Sequence, residues 1–177
     1  LVAVDVGFPI FFWQQRPGRD GRPFRVFKFR TLGSSHDPSG RRLTDAERSS
    51  SLGAVLRRSR LDELPQLYNI LIGEMSFVGP RPLLPRDQSK EHEARLLVRP
   101  GLTGWAQVMG GRTVSARDKV ALDLWYLRNA SVLLEVEIFL RTISMVVWGE
   151  RVDDRSIEQA WADLAKIKAQ PSAASLP

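Results

Sequence analysis

A proline fixes where one helix of this chain can begin. Pro65 follows two adjacent acids, Asp62 and Glu63, within the segment RRSRLDELPQLYN at 57–69. Proline is accepted in the first turn of a helix but not in its interior, so the acids are predicted at or near the helix N-terminus. Apolar residues recur at helical spacing, and we expect their face to pack against a core: Leu61, Leu64, Leu67, Ile70 and Leu71.

The acid pair has two interpretations. Asp62 as an N-cap and Glu63 as a first-turn acid would stabilise the helix, and acids are common at such positions. The same place also suits a bound phosphate, because the unpaired N–H groups and the positive end of the helix dipole attract negative charge. The local pattern alone favours the first interpretation, although three arginines stand just before the pair.

Composition restricts the classes of partner and of chemistry. The 177 residues are 43% hydrophobic, enough for one domain with a core, and 26 Lys and Arg against 20 Asp and Glu give a net charge of +6. This balance suits phosphorylated small molecules, acidic lipid head groups or nucleic acid. The absence of cysteine excludes disulfides, thiolate zinc sites and cysteine nucleophiles, and suits a cytoplasmic environment.

The N-terminal part predicts a β-hairpin. Residues 1–13 are strongly apolar but too few to span a bilayer, which takes about 20 residues. A buried strand and the trailing part of a membrane-inserted segment both fit them. Residues 14–22 carry turn signals, and the alternation over 24–29 predicts the second arm, from which Lys28 and Arg30 would project toward a phosphate.

The middle of the chain predicts short helices and two rigid loops. Residues 44–47 fit a capped helix, and 52–58 fit a second one. Two segments rich in Gly or Pro, 73–82 and 99–112, each hold an arginine, Arg81 and Arg112. Neither segment matches a known nucleotide-binding fingerprint.

The remaining residues predict three helices, at 114–129, 132–148 and 151–169. The second is rich in apolar residues, but Glu135, Glu137 and Arg141 interrupt them. A core helix is therefore favoured over one lying on a membrane surface, which stays open. The resulting division is an apolar segment at 1–13, a main domain at 14–150, and a C-terminal helix and tail at 151–177.

Five ordered blocks resemble one family. The chain is similar to the bacterial sugar transferases that are monotopic polyprenyl-phosphate phosphoglycosyl transferases, from about residue 11 to residue 149. The blocks are QRPG (15–18), KFRT (28–31), LDELPQL (61–67), VGPRP (78–82) and RPGLTGWAQV (99–108). The resemblance implies an α+β catalytic domain dominated by helices, with a small β-hairpin surrounded by helices.

The resemblance also implies a reaction. The family transfers a sugar 1-phosphate from a UDP-sugar to polyprenyl phosphate, usually undecaprenyl phosphate, and releases UMP. It does so at the cytoplasmic face of the bacterial inner membrane, as the first membrane step of polysaccharide or glycoconjugate assembly. By this resemblance Asp62 is the nucleophile, forming a covalent phosphosugar intermediate, and a ligand of magnesium. Glu63 positions or deprotonates the incoming lipid phosphate.

The basic residues expected to bind substrate are Lys28, Arg30, Arg57, Arg81 and Arg112. The family commonly reads Asn-Gly-Arg where this chain has Met109-Gly110-Gly111-Arg112, and it carries a hydrophobic re-entrant helix of which residues 1–13 would be a remnant. A membrane surface is an expected partner, nucleic acid is not, and a homo-oligomer is allowed. The alternative function is a non-catalytic basic module that binds anionic lipid or nucleic acid.

Overall fold

The computed structural model describes residues 1–88, 90–111 and 113–169. These residues form short strands and mostly short helices, with four 3-10 turns at Arg19–Gly21, Leu61–Glu63, Pro85–Asp87 and Lys90–Leu97. The strands are β1 (Phe11–Pro17), β2 (Pro23–Phe29), β3 (Ser76–Val78) and β4 (Gly101–Thr103). The helices are α1 (Val2–Val6), α2 (Asp45–Arg48), α3 (Ser51–Arg58), α4 (Gln66–Leu71), α5 (Trp105–Gly110), α6 (Ala116–Asn129), α7 (Val132–Trp148) and α8 (Asp154–Ala169). The described chain is therefore helix-rich with two small sheets, as an α+β protein is.

The predicted hairpin is confirmed, with the turn restricted to residues 18–22 because β1 extends to Pro17. β1 and β2 pair antiparallel from Phe11 opposite Phe29 to Pro17 opposite Pro23, and the backbone N–H of Gly18 donates to the carbonyl of Arg22 at 2.8 Å. β1 crosses the boundary predicted between residues 13 and 14. Its first three residues are about half exposed, so the buried strand, one of the two interpretations of residues 1–13, is wrong.

The two Gly- and Pro-rich segments meet in a parallel pair of strands. Ser76 of β3 lies opposite Gly101 of β4, and the backbone N–H of Gly79 donates to the carbonyl of Thr103 at 2.9 Å. A Cβ at Gly101 would overlap the backbone nitrogen of Gly79, so this close approach requires glycine. The pairing fixes the backbone immediately before Arg81.

The main core lies among α5, α6, α7 and α8. Its fully buried members include Met109, Leu122 and Ile138, and the ring of Trp105 stacks on that of Trp125 with centroids 5.0 Å apart. A smaller cluster beneath the hairpin contains Phe24, Val26 and Met75. The small cluster packs beneath β2, and the large one includes residues of α5 and α6. These three elements contribute residues to the site described below.

Helix α4 turns its apolar face outward, so the prediction that this face packs against a core is wrong. Leu64 is 46% exposed and Leu71 is 85% exposed, while Gln66 and Asn69 on the opposite side are buried. The Asn69 amide explains the inversion, because its Nδ2 donates to the Arg25 carbonyl at 2.7 Å and ties α4 to the hairpin through polar contacts. Within this helix only Ile70 packs against a hydrophobic cluster.

Helix α7 has one apolar face in the core and a second one exposed. Leu134, Ile138 and Met145 are buried, as in a core helix. A second apolar stripe is exposed along the same helix: Val132, Leu133, Val136, Phe139, Leu140, Ile143, Val146 and Val147. In the part of the chain that is described, no helix has both the length and the apolar character required to cross a bilayer.

Candidate active site

The acid pair lies in a tight turn that points it inward. Leu61–Glu63 form a 3-10 turn, and Pro65 caps α4 two residues later, so the acids stand just before the helix rather than inside it. Arg60 begins the turn in the left-handed conformation, with φ of 56°. Asp62 and Glu63 are both buried, and both line a cavity of about 600 Å³. This volume is typical of a small-molecule site.

Glu63 is the centre of an ion-pair network. Lys28 Nζ lies 2.7 Å from Glu63 Oε1, Arg81 Nη2 contacts the same oxygen, and Arg60 Nη1 lies 3.7 Å from Oε2. Burial alone would raise the pKa of Glu63, but Arg81 and Lys28 outweigh burial and lower the pKa to about 2. Glu63 is therefore ionised throughout the neutral range and holds the two cations in place.

Asp62 has the opposite electrostatic environment. Burial and the neighbouring charge of Glu63 raise its pKa, and the charges of Lys28 and Arg81 offset only part of that rise. Within residues 1–88, 90–111 and 113–169, the Asp62 carboxylate makes no salt bridge, since Glu63 takes the nearby cations. The turn thus places the ion-paired carboxylate of Glu63 beside that of Asp62, which is available to a ligand.

The structure brings most of the predicted site residues together. Lys28 and Arg57 line the cavity with Arg81 and the two acids. Burial and the charge of Arg81 lower the pKa of Lys28, whereas Glu63 raises it. Arg57 Nη2 contacts the Ser49 hydroxyl.

Two predicted basic residues stand apart from this group. Arg30 does not line the cavity; its guanidinium donates to the carbonyls of Val6 and Phe8, the second at 3.0 Å, and so holds the segment before β1. Strand alternation places Lys28 and Arg30 on the same side, so position along the chain makes the difference. Lys28 lies within β2 and reaches Glu63, whereas Arg30 follows the last residue of the strand and contacts the segment before β1. Arg112 lies outside the described residues.

Arg60 is a cavity residue that the sequence analysis did not assign. Its guanidinium reaches Glu63 and also lies 2.9 Å from Glu150 Oε1, joining the acid turn to the chain that follows α7. The run of arginines before the acid pair was a signal for it, but spacing did not distinguish Arg60 from the exposed Arg58.

A second buried ion pair also lines the cavity. Arg95 Nε lies 2.8 Å from Asp123 Oδ2, and Arg95 Nη2 donates to the Arg81 carbonyl at 2.7 Å. Burial raises the pKa of Asp123 to about 6, against the lowering effect of Arg95. The only sequence signal for this pair was the position of Asp123 between two leucines in the middle of α6. An acid at such a position is usually interpreted as facing solvent.

The donor set near Asp62 fits a magnesium ion held partly by a substrate. Mg²⁺ commonly binds through one or two carboxylates together with phosphate oxygens and water. Asp62 supplies one uncommitted carboxylate in the cavity, and cations nearby suit the phosphates. Among the described residues, no group of three or more His, Cys, Asp or Glu side chains is placed to hold a metal ion.

Comparison with known proteins identifies the family. The sequence profile described as bacterial sugar transferase matches residues 1–149 of the chain. The chain belongs to the bacterial sugar transferase family. The ordered blocks and the acid turn are therefore features of a transferase.

Three relatives show the range of this family. An uncharacterized sugar transferase, EpsL, of Bacillus subtilis (strain 168) is 41% identical over 159 residues, covering 86% of this chain and 77% of its own. The UDP-N-acetylgalactosamine-undecaprenyl-phosphate N-acetylgalactosaminephosphotransferase of Aeromonas hydrophila is 37% identical over 160 residues, covering 84% of this chain and 38% of its own.

The UDP-glucose:undecaprenyl-phosphate glucose-1-phosphate transferase of Xanthomonas campestris pv. campestris is 40% identical over 170 residues, covering 83% of this chain and 34% of its own. The chain thus spans most of the Bacillus relative and between a third and two fifths of the other two. Every residue that lines the cavity described above lies within residues 1–149, the part that the family profile matches.

Proposed function

We propose that this protein transfers a sugar 1-phosphate from a UDP-sugar to a polyprenyl phosphate, of which undecaprenyl phosphate is the expected form, and releases UMP. The observation that carries the proposal is the pairing of an uncommitted Asp62 with a Glu63 that is held by Lys28 and Arg81, inside one cavity. Two relatives whose names specify transfer from a UDP-sugar to undecaprenyl phosphate support this substrate pair.

The first step is attack of an Asp62 oxygen on the β-phosphorus of the UDP-sugar. The bond from that phosphorus to the bridging oxygen breaks, UMP leaves with the electron pair, and an aspartyl-phosphosugar remains. Lys28 and Arg81 lie where they would neutralise charge on the diphosphate oxygens. Magnesium, held by Asp62 and phosphate oxygens, would add neutralising charge to the same group.

The second step is attack of the lipid phosphate on the aspartyl-phosphosugar. An oxygen of polyprenyl phosphate forms the new bond to phosphorus, and the bond to Asp62 breaks, restoring the carboxylate. Glu63 is a poor base for this step, because its pKa of about 2 leaves it with little affinity for a proton. We therefore assign Glu63 a positioning role, in which it holds Lys28 and Arg81 against the phosphates.

A membrane surface is the proposed place of the reaction. The turn and helix around the acid pair expose Leu61, Leu64 and Leu71, and α7 exposes a long apolar stripe. Exposed apolar patches of this kind mark protein or membrane interaction sites. With a net charge of +6 they suit an anionic lipid surface, at the cytoplasmic face of the bacterial inner membrane.

The test is UMP release and covalent labelling in the absence of lipid acceptor. UDP-glucose and UDP-N-acetylgalactosamine, radiolabelled in the sugar, are each incubated with the protein and Mg²⁺. We expect stoichiometric UMP release and labelled protein, and labelled lipid after undecaprenyl phosphate is added. Asp62→Asn should abolish both UMP release and protein labelling.

Asp20→Asn is the matched control, because Asp20 is an exposed carboxylate on the hairpin turn and its left-handed backbone suits asparagine. It should label like the unaltered protein. UMP release that requires both substrates at once would contradict the two-step route, and labelling of the Asp62→Asn protein would exclude Asp62 as the nucleophile. Binding to anionic vesicles without UMP release from any UDP-sugar would instead support a non-catalytic basic module.

A further inference from the structure

Two buried hydrogen-bond acceptors line the cavity without a partner. They are Oε1 of Gln107 in α5 and Oδ1 of Asp123 in α6, and neither atom has a hydrogen-bond partner within the described residues. The residues are 7% and 2% exposed. Buried polar atoms are almost always hydrogen-bonded in native proteins, so two orphaned acceptors on one cavity wall point to a ligand that donates to them.

In Gln107 and Asp123, the contact made by one polar atom of the side chain determines which atom is left without a partner. Gln107 Nε2 donates to the Leu102 carbonyl at 3.0 Å, and flipping the amide would set two oxygens against each other. The guanidinium of Arg95 lies at Asp123 Oδ2, which leaves Oδ1. In both residues the surrounding protein fixes which atom is left to the ligand.

The two walls of the cavity differ in chemistry. Lys28, Arg60 and Arg81 stand beside the acid turn, where they suit phosphates. The wall from α5 and α6 contributes one cation, Lys119, and apolar Ala106 and Val120 together with the two acceptors. Such a wall suits an uncharged group that carries O–H or N–H donors and lies next to a diphosphate.

We propose that Gln107 and Asp123 bind the uncharged part of the UDP-sugar, by accepting hydrogen bonds from hydroxyl or N–H groups. This inference rests on the proposed function and adds residues that would select the donor substrate. Hexose hydroxyls and the nucleoside, through its ribose hydroxyls or its uracil N–H, share the required chemistry, and the experiment separates the two sources.

Asp123→Asn tests the proposal with almost no change of shape. Because the positive charge of Arg95 lies next to Oδ2, the asparagine would place its oxygen there and its NH₂ at the position of Oδ1, in the cavity. A donor would then replace the acceptor. Gln107→Met removes the second acceptor independently, from another helix. The controls are Asp118→Asn on α6 and Gln159→Met on α8, both outside the cavity lining.

Binding of UMP, UDP-glucose and UDP-N-acetylgalactosamine is measured by calorimetry with each variant combined with Asp62→Asn, so that the UDP-sugar is not cleaved. Steady-state KM values for UDP-sugar and for undecaprenyl phosphate are measured with Asp62 intact. We expect Asp123→Asn to weaken UDP-sugar binding by about 10- to 100-fold and Gln107→Met by about 3- to 10-fold, with KM for the lipid unchanged. Equal weakening of UMP and UDP-sugar assigns the wall to the nucleoside. Weakening of UDP-sugar alone assigns it to the sugar.

Unchanged affinity for all three ligands in both variants would overturn the inference while leaving the reaction standing. A rise in KM for the lipid that matches the rise for UDP-sugar would also overturn it, since that result indicates general disruption of the site. If thermal melting shows that Asp123→Asn does not fold, Gln107→Met decides the question alone. Failure of the unaltered protein to bind UMP or to release it would instead count against the proposed function.

Discussion

The adjacent acids Asp62 and Glu63 are expected to affect stability in opposite directions. Glu63 has a pKa of about 2 against an ordinary value of 4.5, because Arg81 and Lys28 pair with it despite its burial. At about 1.4 kcal/mol per pKa unit, this difference corresponds to about 3 kcal/mol of stability at neutral pH. Solvent screening reduces this little, since the side chain is 7% exposed.

Glu63→Gln removes that contribution, and we expect a loss of about 2–3 kcal/mol at pH 7. The lower end allows for relief of the repulsion that Glu63 exerts on Asp62. Asp62→Asn is the matched comparison, one residue away. Because the folded protein raises the pKa of Asp62, its ionised form is less favourable there than in the unfolded chain, and the variant should be as stable as the parent or more so.

Urea unfolding followed by tryptophan fluorescence measures both effects, since the chain has 5 Trp. The sign of the pH dependence is a second check. Because the folded protein lowers the pKa of Glu63, its contribution to the free energy of unfolding is complete above pH 4.5. That contribution is lost as the pH falls toward about 2. The loss of stability in Glu63→Gln should therefore fall by pH 3 to less than about half of its value at pH 7. A loss of stability under about 0.5 kcal/mol in Glu63→Gln at pH 7 would refute the division of roles between the two acids. An equal loss in Asp62→Asn would refute it as well.

Three further outcomes are expected. Glu63→Gln should move the acid limb of lipid-free UMP release to lower pH, because losing a like charge and freeing two cations both lower the pKa of Asp62; an unmoved limb would contradict this. Gly101→Ala should cost more than about 2 kcal/mol in urea unfolding, whereas Gly33→Ala, with its nearest atom at 3.5 Å, should cost under about 1. Leu71→Gln should weaken binding to anionic vesicles about 10-fold in sedimentation with an unchanged melting temperature, and equal binding would argue against a membrane-facing α4.

Local chemistry predicted the local structure well. The capped helix at residues 44–47 appears as α2, where the Thr44 hydroxyl accepts from the Glu47 N–H and the Glu47 carboxylate accepts from the Thr44 N–H. The hairpin follows equally from turn residues and strand alternation. Such features depend on residues a few positions apart, and the sequence shows those directly.

Features set by distant contacts were predicted less well. Helical spacing identified the apolar face of α4 correctly but did not show that this face is exposed. Polar contacts of Asn69 with Arg25 and Phe27 of the hairpin turn the leucines outward. The pair of Arg95 and Asp123 joins residues 28 positions apart, so no local pattern reveals it. Strand alternation pointed to Lys28 and the Gly- and Pro-rich loop to Arg81, and the family resemblance assigned both to substrate. Their convergence on Glu63 required the fold.

The orientation of the side chains in Leu61–Leu64 has a consequence for how the proposed lipid acceptor would reach the site. Both acids point into the cavity while the leucine on either side of them faces out. If those leucines rest among acyl chains, a lipid-borne phosphate reaches Asp62 by lateral diffusion within one leaflet. Its hydrocarbon tail then never has to enter water, and the reaction becomes an encounter in two dimensions.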